Sequence, residues 1–112
     1  MPSLTEKLLC VGKAVQERED ALTEVFNEKT EILKIARENR KRQLFEAWKI
    51  TDSRGRNRAI LGAWQEFRDV IDDSRKVYRG SVNAIWKKFA KEKLKCKLSP
   101  IPSESASTDS AL

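Results

Sequence analysis

The chain has 112 residues, of which 36% are charged, and it carries a formal net charge of +6 at neutral pH. A chain of this length forms one domain with a modest core. It contains two cysteines and no histidine, which excludes catalytic triads with a histidine, histidine general bases and most zinc sites. The sequence has no Gly-rich phosphate loop and no Glu-x-x-His motif. We therefore predict a protein that is not an enzyme, with no metal ion, no cofactor and no small-molecule substrate.

The start of the chain contains no apolar stretch of the kind found in signal peptides. No apolar run in the sequence approaches the roughly 18–20 residues that a helix needs to span a bilayer. The sequence thus predicts no integral membrane segment and, by default, a cytoplasmic location.

The first predicted element is a helix over about residues 3–51, where Gly and Pro are rare and Ala, Leu, Glu, Lys and Arg are common. Apolar side chains recur in it every eleven residues, and one such row is Val11, Leu22, Leu33 and Leu44. Eleven residues make three turns at about 3.67 residues per turn, so this row stays on one face of a nearly straight helix. The spacing continues through Asn27, a candidate break, and therefore indicates continuous helix there.

A turn is predicted next, at about residues 52–57. The apolar spacing shifts by five residues between Leu44 and Ile60, as it does where one helix ends and another begins. Residues that favour a helix N-cap occur in this stretch, namely Asp52, Ser53 and Asn57. Gly55 is a natural C-terminal stop for the preceding helix.

The second predicted helix covers about residues 57–98 and repeats the eleven-residue spacing. Its two apolar rows are Ile60, Ile71 and Val82, and Phe67, Tyr78 and Phe89. Trp64 and Trp86 lie twenty-two residues apart, and each is followed by a phenylalanine three residues later. The spacing also continues through Gly80-Ser81, which indicates that this helix is unbroken.

These elements predict an all-α fold, a long antiparallel helical hairpin with its turn near residues 51–57. Breaks at both candidate sites would instead give four short helices, and a four-helix bundle is the alternative. Residues 1–98 would form the helical domain. Residues 99–112 are rich in serine and proline, a composition that predicts a disordered tail.

The two cysteines lie at equal distances in sequence from a turn centred near Ser53. Cys10 and Cys96 are each 43 residues from it, so a hairpin brings them together at its open end. Two interpretations stay open at this point, a disulfide and a pair of reduced thiols. Reduced thiols are typical of the cytoplasm, and a disulfide would indicate an extracellular protein.

Apolar residues also occur outside the stripe that one partner helix can cover. Examples are Leu9, Ile32, Ile35, Phe45, Ile50 and Leu61. In a lone hairpin each helix meets only one partner, so these side chains would need further copies of the chain to cover them. We therefore expect a structural or scaffolding protein that self-associates, as the subunit of an oligomer or filament. The residues expected to form the core and the self-association surface are Val11, Leu22, Phe26, Leu33, Leu44, Trp48, Ile60, Trp64, Phe67, Ile71, Tyr78, Val82, Trp86 and Phe89.

The basic residues around the turn support an alternative function, that of a small nucleic-acid-binding protein. Residues 53–98 carry thirteen basic and five acidic side chains, and arginine-rich surfaces bind phosphates well. The expected phosphate contacts are Arg40, Lys41, Arg42, Arg54, Arg56 and Arg58. Residues 81–98 also have the composition of a basic amphipathic helix that binds membranes. Their apolar side chains continue the rows that begin at Ile60, which favours a packing face instead.

Overall fold

A computed structural model describes residues 2–98, so the predicted tail at residues 99–112 lies outside the described residues. The described chain forms two long helices, α1 (Leu4–Ala47) and α2 (Ser53–Lys95). They pack against each other as an antiparallel hairpin, which confirms the predicted fold class. Helix α1 runs unbroken through Asn27 and helix α2 through Gly80. The two long helices of the hairpin thus form, and the four short helices of the alternative do not.

Helix α1 begins with a capping arrangement that its sequence supplies. The Ser3 hydroxyl accepts a hydrogen bond from the backbone N–H of Glu6, at 3.1 Å. Ser-x-x-Glu is the capping-box pattern, and the acidic residue in the first turn also interacts favourably with the positive end of the helix dipole. These residues fix the start of α1.

The chain reverses at residues 48–52, slightly before the turn that the sequence predicts. The side-chain carboxylate of Asp52 accepts a hydrogen bond from the backbone N–H of Gly55 at 2.8 Å. The backbone carbonyl oxygen of Asp52 accepts one from the backbone N–H of Arg56. Asp52 is therefore the N-cap of α2. Because this cap precedes Gly55, that glycine lies in the first turn of α2 and does not end α1.

By internal packing the chain divides into two compact units, and each contains a segment of both helices. The described part of unit 1 comprises residues 2–27 and 78–98, and unit 2 comprises residues 28–77. The core of unit 1 contains Leu22, Tyr78 and Val82. The residues packed against this core are Val25, Ile85 and Trp86.

The core of unit 2 consists mainly of small side chains. Its buried residues are Ala36, Ala47, Ala63 and Ser74. Alanines allow two helix backbones to approach closely, and larger side chains then lie at the flanks of the contact. The two helix segments of unit 2 are also joined by a hydrogen bond of 2.6 Å, which Gln43 Nε2 donates to Glu66 Oε2.

Candidate interaction surfaces

Unit 1 contains a buried arginine stacked on two aromatic rings. The Arg18 guanidinium carbon lies 4.5 Å from the ring centroid of Trp86 and 4.5 Å from that of Phe89. The two rings meet edge to face, with their centroids 5.9 Å apart. Arg18 is only 6% exposed, and its Nη2 pairs with the Glu19 carboxylate at 3.3 Å. We call Arg18, Trp86 and Phe89 the unit 1 cation–π cluster.

Unit 2 contains the same arrangement. The Arg40 guanidinium carbon lies 4.6 Å from the ring centroid of Trp64 and 4.1 Å from that of Phe67. These rings also meet edge to face, at a centroid distance of 6.3 Å. We call Arg40, Trp64 and Phe67 the unit 2 cation–π cluster. Interactions of this kind are worth about 0.5–1 kcal/mol when exposed and about 2 kcal/mol when desolvated.

The two clusters are related by a shift of twenty-two residues in each helix. Arg18 and Arg40 are separated by that interval, as are the two tryptophans and the two phenylalanines. The sequence shows the repeated Trp-x-x-Phe pattern but does not indicate that arginines contact it. Arg40 is expected from the sequence to contact phosphates, and in the structure its guanidinium lies against the two rings.

The cysteines lie together at the end of unit 1, as the hairpin predicts. Their Sγ atoms are at disulfide-bonding distance and their Cα atoms are 5.6 Å apart, within the range of about 4.4–6.8 Å found in disulfides. Cys10 is exposed, and Cys96 is buried. The closed pair would link two chain positions separated by 86 residues.

The residues expected to form the core and the self-association surface occupy three environments. Four of them are buried: Leu22, Tyr78, Val82 and Phe89. Seven are partly buried: Val11, Leu33, Leu44, Ile60, Phe67, Ile71 and Trp86. Three are exposed: Phe26, Trp48 and Trp64. The six apolar residues that the sequence places outside the main stripe, from Leu9 to Leu61, are all exposed as well.

Exposed apolar side chains and basic side chains both occur in residues 41–61, around the chain reversal, and we call this surface the turn patch. Its exposed apolar members are Phe45, Trp48, Ile50 and Leu61. Its basic members are the exposed Lys41, Lys49, Arg54 and Arg58 and the partly buried Arg56. The Lys49 ammonium lies 4.6 Å from the ring centroid of Phe45 and 3.2 Å from the Glu46 carboxylate. The Arg56 guanidinium carbon lies 5.8 Å from the ring of Trp48, and its Nη1 donates to the Ile50 carbonyl oxygen. Of the expected phosphate contacts outside the patch, Arg42 is exposed and its Nη2 donates to the side chain of Asn39.

Unit 2 also has an open groove of about 650 Å³ between its helix segments. Small side chains line much of it, including Ala47, Ala59, Gly62 and Ala63. Within residues 2–98, no group of three or more cysteine, aspartate or glutamate side chains is placed to hold a metal ion. Neither helix in that range has a stretch long and apolar enough to cross a membrane.

Comparison of this chain with protein-family models, with curated proteins and with solved structures finds no match. The function of this chain is therefore inferred from its own surfaces.

Proposed function

We propose that this chain is a structural or scaffolding protein without catalytic activity, which self-associates through apolar side chains on the outer surfaces of its helices. The observation that carries the proposal is the exposure of large apolar residues in both units. In unit 1 they include Leu8 and Leu9, and in unit 2 they include Ile32 and Ile35. Contiguous apolar surface is disfavoured in water, and its exposure on a helix is typical of an interface.

The spacing of these side chains groups them into surfaces that one partner can cover. Leu4 and Leu8 are four residues apart, and Ile32 and Ile35 are three apart, so each pair lies on one face of α1. Burying one leucine or isoleucine side chain completely is worth about 1.5–3 kcal/mol. Several such side chains in each chain therefore give a second copy a substantial driving force for packing.

The decisive experiment is size-exclusion chromatography with light scattering on the full chain at physiological salt. We expect the mass of an oligomer, which is two or more times the 12.9 kDa of one chain. Replacing Leu8 and Ile35 by glutamine should lower that mass, and helicity by circular dichroism should not change because both side chains are exposed. The matched control replaces the exposed polar residues Glu24 and Lys34 of the same helix by glutamine, which should leave the mass unchanged. A single-chain mass at high concentration would contradict the proposal.

The groove in unit 2 permits a second test, in which a large side chain is introduced into the groove. A Cβ atom at Gly62 would have no heavy atom within 4 Å, so Gly62→Leu should leave the helix intact and place a side chain in the groove. If copies pack there, this variant should have a lower mass than the wild type. Gly80 also has open space around it but lies outside the groove, and Gly80→Leu is the control.

A further inference from the structure

We propose that the turn patch binds a bilayer surface that contains anionic phospholipids. The patch contains several large apolar side chains that are exposed to water. Trp48 is 68% exposed, Leu61 is 67% exposed and Phe45 is 65% exposed. Tryptophan, phenylalanine and leucine beside lysine and arginine are the composition of surfaces that insert at the boundary between headgroups and acyl chains. This inference is independent of the proposed self-association.

Both chain segments that form the patch carry apolar and basic members at helical spacing. On α2, Arg54, Arg58 and Leu61 follow one another at intervals of four and three residues, so they lie on one face of the helix. Phe45 lies in the last turn of α1, and the ammonium of Lys49 in the chain reversal is 4.6 Å from its ring centroid. Long basic side chains in this setting can reach phosphate groups while their neighbours contact acyl chains.

The charge of the patch specifies an anionic partner. The patch has five basic members, and the acidic side chains in residues 41–61 are Glu46 and Asp52. The first turn of α2 contains Arg54 and Arg56 and no acidic residue, although the N-terminal end of a helix dipole is positive and favours acidic residues. Asp52 offsets part of this charge as the N-cap. Two copies of such a patch would repel each other, so a second copy is a poor partner here and an anionic surface is a good one.

The aliphatic members favour a lipid surface over a nucleic acid. Single-stranded nucleic acids are held by basic side chains and by aromatic rings on which bases stack. Ile50 and Leu61 have no ring, and both lie among the basic residues of the patch. A bilayer boundary accepts aliphatic and aromatic side chains alike, so it uses every exposed member of the patch.

The test is sedimentation of the full chain with vesicles of phosphatidylcholine alone and of equal parts phosphatidylcholine and phosphatidylglycerol. We expect binding to the anionic vesicles only, and weaker binding at higher salt. Replacing Arg54 and Arg58 by glutamine should lower the partition coefficient roughly thirtyfold, as expected for two lost cations near an anionic surface. Replacing Trp48 and Leu61 by serine should lower it by at least roughly tenfold.

Two control variants lie outside the turn patch. Lys87→Gln with Lys91→Gln removes the same charge from exposed positions on α2. Val77→Ser removes an apolar side chain that is 66% exposed. Both controls should bind anionic vesicles as the wild type does. Circular dichroism should show that each variant remains helical.

A second readout follows Trp48 itself. Its fluorescence should shift to shorter wavelength when anionic vesicles are added, and Trp48→Phe should remove most of the shift while keeping binding. Absence of binding to anionic vesicles would overturn the proposal, as would equal loss of binding in the control variants. Binding to a single-stranded RNA oligonucleotide without binding to vesicles would also overturn it and would identify a nucleic acid as the partner of the patch.

Discussion

The disulfide between Cys10 and Cys96 should supply much of the stability of the hairpin when it is closed. It links positions 86 residues apart, and closing a loop of that length lowers the entropy of the unfolded chain by the equivalent of roughly 4.5 kcal/mol. A domain of this size has a total unfolding free energy of about 5–15 kcal/mol. The reduced protein should therefore be markedly less stable than the oxidised protein.

The assay is urea unfolding followed by circular dichroism, on the same preparation with and without a reductant. With an unfolding slope of about 1–3 kcal/mol per molar urea, reduction should lower the midpoint by about 1.5–4.5 M. The variant Cys10→Ser with Cys96→Ala should behave like the reduced wild type and should not respond to the reductant. Because self-association also changes apparent stability, both forms are compared at two protein concentrations.

The effect should also be local. The cysteines lie in unit 1, so reduction should increase amide hydrogen exchange most near residues 4–12 and 88–96. Equal midpoints for the oxidised and reduced protein would contradict this prediction. Free thiols in protein purified without reductant would show that the pair does not close.

Three further predictions concern the helices. Gly80→Ala should raise the unfolding free energy by about 0.5–1 kcal/mol, since an added Cβ meets open space. Gly55→Ala should raise it less, because its Cβ would lie 3.0 Å from the carboxylate that caps α2. Equal increases for the two variants in urea unfolding would contradict this prediction. A double-mutant cycle of Arg18→Met and Trp86→Leu should give a coupling of about 1–2 kcal/mol, and the same cycle in the unit 2 cation–π cluster should give less because that tryptophan is more exposed. Amides around Asn27 should exchange as slowly as those of the adjacent turns, and fast exchange there would indicate a break in α1.

The sequence predicted the two helices because their apolar spacing is regular over long stretches. The eleven-residue rows pass through Asn27 and Gly80 without a change of phase, and both helices are continuous there. The turn was harder to place, since several nearby residues favour a helix start. Asp52 acts as the N-cap, and a side-chain hydrogen bond of this kind cannot be chosen from spacing alone.

The sequence did not indicate which members of the predicted core and self-association surface would be buried within one chain. Trp48 and Trp64 belong to that set and both are exposed, whereas Ala36 and Ala63 are among the most buried residues. Where one helix packs on one other, the line of closest approach takes small side chains and the large ones lie at the flanks. The spacing shows which face is inward but not which members of that face lie on the line of contact.

The buried arginine was missed for a related reason. A charged residue is normally predicted to lie on the surface, but Arg18 is only 6% exposed. The signal was available in the interval of twenty-two residues between Arg18 and Arg40, which equals the interval between Trp64 and Trp86. The stacking itself depends on side-chain conformation, which a spacing pattern does not contain.

The three tryptophans show how a two-helix protein covers its large side chains. Trp86 is partly buried and stacks on the buried Arg18, and Trp64, with Arg40 4.6 Å from its ring centroid, is 39% exposed. In both units an arginine therefore stacks on the tryptophan ring. The Arg56 guanidinium carbon lies 5.8 Å from the ring centroid of Trp48, and Trp48 is 68% exposed. It is therefore the tryptophan whose surroundings should change most when the turn patch binds a bilayer.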